Sequence, residues 1–136
     1  MTLEGGCLCA RSRYAISGEV EWAGSCYCTD CQKESGSGHL TAVAVPAAAI
    51  SFSGPTRVFQ SIGGSGGNID RIFCAECGST LFSHPHVMGD IRIVRAGTLD
   101  DSSAVEPAMA VFCSQASAWD QPPAGIATFA QMPPVQ

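Results

Sequence analysis

The stretch SCYCTDCQKESGS, residues 25–37, places Cys26, Cys28 and Cys31 within six positions. Cysteines spaced this closely are typical of zinc ligands. A structural zinc takes four protein ligands, so this group is one ligand short. The fold around the metal therefore depends on whether another cysteine supplies the fourth ligand or the remaining cysteines form a separate site.

Two shorter groups follow the same logic: Cys7-x-Cys9 near the N-terminus and Cys74-x-x-Cys77 in the middle of the chain. On a strand, side chains two residues apart share a face, so a C-x-C pair can offer two sulfurs to one ion. Gly78 follows the last of these cysteines and can adopt the positive φ that a metal-binding turn often needs. Two pairs complete a tetrahedron, which predicts a closed, structural zinc site.

The group of three would then hold a second zinc with one open coordination position, the pattern of a catalytic metal. A histidine would instead close this site and make it structural, and the candidates are His39, His84 and His86. The residues alone leave both alternatives open. Cys113 lies in the apolar segment AVFCS and is expected to be a core thiol.

Charge indicates what an open site of this kind would bind. Three thiolates leave a zinc site with a net charge of about −1, so it is a weak Lewis acid for activating water. Coordination still deprotonates a fourth thiol, and the negative site keeps that sulfur nucleophilic. The predicted substrate is a small thiol.

Composition excludes several other classes. The chain has 136 residues, 46% hydrophobic and 14% charged, which fits a single domain spanning 1–136. Its net charge of −5, without a basic stripe, argues against a nucleic-acid partner. The N-terminus lacks the pattern of a secretory signal, and the longest apolar run, residues 40–50, is too short to span a membrane.

These features predict a cytoplasmic protein that does not enter a membrane. In a reducing compartment, eight cysteines are more typical of metal binding than of disulfides. A secreted disulfide framework is the alternative that the sequence alone leaves open.

Most of the chain has the pattern of short strands. Runs rich in Val, Ile and Phe alternate with Gly, Pro, Ser and Asp, and no segment keeps a helical period for three turns. A mainly β fold with one or two short helical turns is therefore predicted. The strand candidates are residues 13–22, 39–45, 49–54, 56–62, 68–73, 79–83, 90–97 and 108–114.

The connecting segments also carry predictions. The helical candidate is TDCQKES, residues 29–35, with Thr29 as N-cap and Gly36 as its stop. GGSGG, residues 63–67, is expected to be a mobile hairpin loop. The proline-rich tail, about 120–136, is expected to lie extended on the surface, anchored by Trp119 and Phe129.

Five motifs in order resemble the glutathione-dependent formaldehyde-activating enzyme family, also described as GFA or CENP-V-like domains. The resemblance runs from about Gly5 to Trp119, and the motifs are GGCLCARSRY, CYCTDCQKESGS, FCAECGSTLF, AGTLDD and SAWDQ. The sequence departs from the common family pattern at Tyr27 and around Ala110, where members often carry histidine.

The resemblance implies a zinc-containing Mss4-like fold, also called a β-tent. It implies that Cys7, Cys9, Cys74 and Cys77 hold a structural zinc and that Cys26, Cys28 and Cys31 hold a catalytic one. The family's name reaction condenses formaldehyde with glutathione to S-hydroxymethylglutathione, which is classed with the carbon–sulfur lyases. This implies a small thiol such as glutathione and a small aldehyde as partners.

Glutathione brings two carboxylates, so its binding site should present cations. Lys33 and Arg71 are the candidates because each neighbours a cysteine group. The alternative function is a zinc-stabilised binding module without turnover, which the same fold would support.

Overall fold

The computed structural model describes residues 2–133, and this part of the chain is mainly β. It contains eleven strands and one α-helix, together with four single turns of 3-10 helix. The elements are β1 (Thr2–Gly6), β2 (Arg13–Ser17), β3 (Trp22–Cys26), α1 (Thr29–Ser35), β4 (Leu40–Pro46), β5 (Ile50–Ser53), β6 (Thr56–Ile62), β7 (Asn68–Cys74), β8 (Thr80–Pro85), β9 (Ile91–Arg95), β10 (Met109–Val111) and β11 (Ala127–Thr128).

The strands form two sheets. The smaller sheet has the order β1-β2-β5 and is antiparallel throughout. The larger sheet has the order β11-β10-β3-β4-β9-β8-β7-β6. Its pairs are antiparallel except at one edge, where β10 runs parallel to both β3 and β11.

Strand β4 is buried on both faces, which explains its almost uninterrupted apolar sequence LTAVAVP. Val43 and Val45 point into the main core, which also contains Tyr14 and Ile16 of the smaller sheet. Ala42 and Ala44 point to the opposite face and join a second apolar cluster. The alternation of a strand thus divides one segment between two apolar environments.

The second cluster lies on the face of the larger sheet that is turned away from the smaller one. Its buried members are Leu40, Ala42, Ala44 and Ile93, and the partly buried residues Trp22, Cys31, Met88 and Ile91 pack against them. Because Cys31 belongs to α1, the only α-helix among residues 2–133 is held against this face.

The predicted strands are confirmed, with shifts at their ends. The predicted run 13–22 contains only β2, and its last residue begins β3, which was not predicted. Strand β1 was also missed. Helix α1 has the predicted bounds and ends at Gly36, which has φ +70°. The predicted N-cap was wrong: Cys28, not Thr29, caps the helix, because its sulfur accepts the Cys31 backbone N–H at 3.3 Å.

The tail follows the edge of the larger sheet over its described part. Phe129 donates its backbone N–H to Ala110 and accepts one from Cys113. The expectation that Trp119 anchors the tail was wrong, since its side chain is 73% exposed. Residues 134–136 of the predicted tail lie outside the described residues.

No helix among the described residues has both the length and the apolarity that a membrane crossing requires. The finer Mss4-like assignment stays a prediction.

Candidate metal centres

Four of the clustered cysteines meet at one point between distant segments. Cys7 and Cys9 lie in the turn that follows β1, while Cys74 ends β7 and Cys77 lies in the turn before β8. Their four sulfurs lie within 4.8 Å of one another. Two of the separations are 3.5 Å, for Cys7 and Cys9, and 3.8 Å, for Cys9 and Cys74. Thiolates at the usual zinc distance on a tetrahedral ion lie about 3.8 Å apart, so this donor set fits zinc.

Backbone N–H groups surround these sulfurs. The Ser12 N–H donates to Cys7 Sγ at 3.3 Å, and the Glu76 N–H donates to Cys74 Sγ at 3.4 Å. Such bonds stabilise a thiolate relative to a thiol. Gly78 has the predicted positive φ, at +79°, and its N–H donates to the Cys74 carbonyl, which closes the turn.

The group of three forms at the start of α1. Cys26 is the last residue of β3, Cys28 is the N-cap, and Cys31 lies in the first turn of the helix. Their sulfurs also lie within 4.8 Å of one another, and no other ligating atom of residues 2–133 joins that group. The assumption that both C-x-C pairs lie within strands was wrong, because each pair begins where a strand ends.

The three thiols perturb one another strongly. Hydrogen bonds from Cys26 and then Cys31 lower the pKa of Cys28. The hydrogen bond to Cys28 raises the pKa of Cys26, and hydrogen bonds to Cys26 and Cys28 raise that of Cys31. Three thiols this close cannot all ionise at neutral pH without a cation among them, because their charges repel. A dication that prefers sulfur supplies that charge, so this donor set also fits zinc.

A cavity of about 470 Å³ opens beside the group of three. Its described lining comes from β3, β4, the 63–67 loop, β7 to β10 and the tail, and all three cysteines of the group belong to it. Most of the lining side chains are apolar; they include Trp22, Leu40, Ile69, Val87, Met88, Ile91, Ile93, Met109, Val111, Phe112 and Met132.

Comparison with known proteins agrees with this geometry. The family model for the glutathione-dependent formaldehyde-activating enzyme, GFA, matches residues 2–115. The chain belongs to the GFA family. No curated protein matches it, but a solved structure of a Rhodobacter sphaeroides protein is similar in fold. That structure has a TM-score of 0.57 and 17% identity, and the match covers 76% of this chain and 91% of the other.

The two positions where this GFA chain departs from the common family pattern are both buried. Tyr27 is 1% exposed, and its ring stacks on His39 with the ring centroids 4.8 Å apart. Ala110 is fully buried in β10. Both residues therefore have packing roles.

The three histidines considered as a fourth ligand lie elsewhere in this GFA domain. His39 Nδ1 lies 2.5 Å from an Asp120 carboxylate oxygen. His84 and His86 form a separate group with Asp70, whose pKa is lowered first by the hydrogen bond from His86. Cys113 stays outside both cysteine groups, in a turn of 3-10 helix after β10.

Only one of the two predicted cationic residues reaches the cavity. Lys33 is exposed on α1 and is absent from the described lining. Arg71 lines the cavity, where its Nε donates to Glu34 at 2.8 Å and its Nη1 donates to Ser61. Arg95 also lines the cavity and binds the same carboxylate.

The residues that sequence reasoning missed are the carboxylate partners. Glu34 joins Arg71 and Arg95, and Asp120 joins His39. These pairs are separated by 37 to 81 positions in the chain, so no local pattern could have indicated them. The one available signal was that Asp120 lies in the SAWDQ motif of the family.

Proposed function

We propose that this protein is a zinc-dependent enzyme of the carbon–sulfur lyase type that acts on a thiol adduct of formaldehyde or of a related small aldehyde. The reaction would be like that of S-hydroxymethylglutathione synthase, which agrees with the name of the matching family. The observation that carries the proposal is the group of three thiols with no fourth described ligand, set in the wall of a cavity of about 470 Å³.

The two cysteine groups would have different tasks, with one zinc in each. Cys7, Cys9, Cys74 and Cys77 would hold a structural ion, because four ligands close the site. Cys26, Cys28 and Cys31 would hold the catalytic ion. A zinc ion bound there would lower the pKa of a thiol that becomes its fourth ligand and keep that sulfur nucleophilic.

The reaction itself requires a bond between sulfur and carbon. In the direction of synthesis, the thiol sulfur bonds to the carbonyl carbon, and the carbonyl π electrons move to the oxygen. That oxygen takes up one proton, which balances the proton that the thiol loses. The chain's part is to hold the thiol beside Cys26, Cys28 and Cys31 and to exclude water with the apolar cavity wall.

A cytoplasmic location is part of the same proposal. None of the eight cysteines forms a disulfide among residues 2–133, and Cys113 lies outside both cysteine groups. Thiols in this number persist in a reducing compartment, where small thiols are also available.

A second function has support from one observation. Tyr27 and Ala110 are buried at or near positions where the common family pattern often has histidine, so this chain has no histidine there to transfer a proton. A zinc-stabilised binding module without turnover would need no such group.

The two functions are separated by measuring exchange in solution. Zinc-loaded protein is added to ¹³C-formaldehyde and glutathione, and NMR exchange spectroscopy measures the rate of S-hydroxymethylglutathione formation. The enzyme predicts acceleration that Cys28→Ser abolishes and the matched variant Cys113→Ser retains. Binding of the thiol without acceleration would favour the module. Absence of both, with glutathione and with an uncharged thiol alike, would exclude the proposed site.

A further inference from the structure

The cavity beside Cys26, Cys28 and Cys31 is built from apolar side chains along most of its described wall. One face of the larger sheet lines it: Met109, Gly24 and Ala42 are neighbours across β10, β3 and β4, and Ile93 follows on β9. Phe112, side chains of β7 and the described part of the tail also line it. A volume of about 470 Å³ lies within the range of small-molecule sites.

Glycines allow this wall to close. A Cβ atom on Gly64 would lie 3.1 Å from the Phe112 ring, and one on Gly67 would lie 2.5 Å from Val87 Cγ1. The 63–67 loop therefore packs directly on two apolar lining side chains. The loop is also braced internally, because the Gly63 N–H donates to Gly67 O at 2.8 Å.

Two serines of the described wall are already hydrogen-bonded within the protein. Ser25 bonds to Thr41 at 2.9 Å, and Ser83 accepts from Arg95 at 3.1 Å. They therefore offer little to a polar ligand.

The guanidinium groups are also committed. Arg95 uses Nε and Nη2 for Glu34 and Nη1 for Ser83 and the Ile93 carbonyl. Arg71 uses Nε and Nη1, which leaves Nη2 as its one nitrogen without a partner among residues 2–133. Glutathione has two carboxylates, so the cationic side chains of this wall can pair with one of them at most. Asp30, which also lines the cavity, would repel either.

We propose that the thiol accepted by this cavity carries an apolar group, aromatic or branched alkyl, in place of the charged arms of glutathione. The sulfur would lie at the three cysteines, and the apolar group would lie between Met109 and Ile93. This inference rests on the proposed function for the position of the sulfur, and it deepens that function by naming the substrate class.

The test compares two thiols on zinc-loaded protein by calorimetry. The probes are benzyl mercaptan and glutathione, each with its S-methyl thioether, at one pH and with each Kd corrected for the ionised fraction of the free thiol. Burial of a phenyl-sized group predicts that benzyl mercaptan binds roughly tenfold to a hundredfold more tightly than glutathione. Trp22 lines the cavity and Trp119 is exposed, so quenching of fluorescence in a Trp119→Phe background locates the ligand.

A matched pair of variants tests the wall. Val87 lines the cavity and is 62% exposed, whereas Val58 is 58% exposed on β6 and is absent from the described lining. Val87→Asp should lower the affinity for benzyl mercaptan at least about fivefold, because the bound ligand would desolvate the new carboxylate. Val58→Asp should leave this affinity unchanged. If thermal melts show that Val87→Asp does not fold, Val87→Asn serves the same comparison.

The other outcomes separate this inference from the proposed function. Glutathione binding as tightly as benzyl mercaptan would overturn the apolar class and leave the thiol site in place. Benzyl methyl sulfide binding as tightly as benzyl mercaptan would mean that the sulfur does not reach the cysteines. The proposed function would then be wrong, whereas the inference that the cavity binds an apolar group would remain.

Discussion

Glu34 on helix α1 is bound by Arg95 on strand β9 through two hydrogen bonds. Arg95 Nε donates to Oε2 at 2.7 Å, and Nη2 donates to Oε1 at 2.8 Å. Both side chains are only 9% exposed. The helix that carries Cys28 and Cys31 is thus fixed to the larger sheet by a bidentate, largely buried ion pair.

Removing this carboxylate should damage both the fold and the group of three cysteines. Glu34→Ala leaves Arg95 buried without its counter-charge, which is expected to cost about 3 kcal/mol in the free energy of unfolding. The control is Asp100→Ala, because Asp100 is 50% exposed, pairs with Arg13 and lies outside both cysteine groups. Urea unfolding measures the first effect, and zinc content after dialysis measures the second. Equal stability of the two variants would show that the pair does not hold the helix.

The two cysteine groups should differ in their importance for folding. Cys74→Ser opens the site of four ligands and should remove most of the folding free energy, since metal binding contributes about 10 kcal/mol in small zinc domains. Cys28→Ser should leave a folded protein with one zinc ion, and the unmodified protein should hold two. Thermal melts and metal analysis check both. The reverse order of damage would overturn the division of the ligands.

Affinity for a thiol should depend on pH with a definite sign. Binding at the three cysteines releases the thiol proton, so affinity should rise about tenfold per pH unit below the pKa of the free thiol and then level off. S-methylglutathione has no such proton and should bind weakly at every pH. Calorimetry in buffers of different ionisation enthalpy measures the released proton. A flat pH profile for glutathione would place its sulfur away from the cysteines.

Gly78 offers a test of the turn that positions Cys77. A Cβ atom would meet nothing within 4 Å at either Gly78 or Gly97, but only Gly78, at φ +79°, has a left-handed backbone. Gly78→Ala should cost about 1 kcal/mol and speed the loss of one zinc ion to a chelator, whereas Gly97→Ala should do neither. Equal chelation rates for the two variants would mean that the turn tolerates a side chain.

Local patterns predicted much of this molecule. The spacing of the cysteines predicted one site of four and one site of three, and the structure brings the same residues together. Strand β4 was evident from its apolar run. Strand β3 was missed because WAGSC contains small residues, and the structure gives the reason: a Cβ on Gly24 would lie 3.0 Å from Met109.

The rest depended on contacts between distant segments. Arg71 was selected because it precedes a cysteine group, but its actual role involves Glu34, 37 positions away. The cavity wall includes Met109 and Val111 from the parallel edge of the larger sheet. Pairing of strands that are far apart in the sequence leaves no periodic signal, so the apolar character of the cavity could not be predicted.

The site of four ligands also joins Cys9 to Cys74, two residues that are 65 positions apart. An ion held by these thiols before the chain has folded acts as a cross-link and removes loop-closure entropy from the unfolded ensemble. The free-energy cost of closing a loop of n residues grows as (3/2)RT ln n. The group of three spans too few residues to have this effect. Zinc present during refolding should therefore accelerate the association of the β1-β2 hairpin with the end of β7, and zinc added afterwards should arrive too late to change the rate.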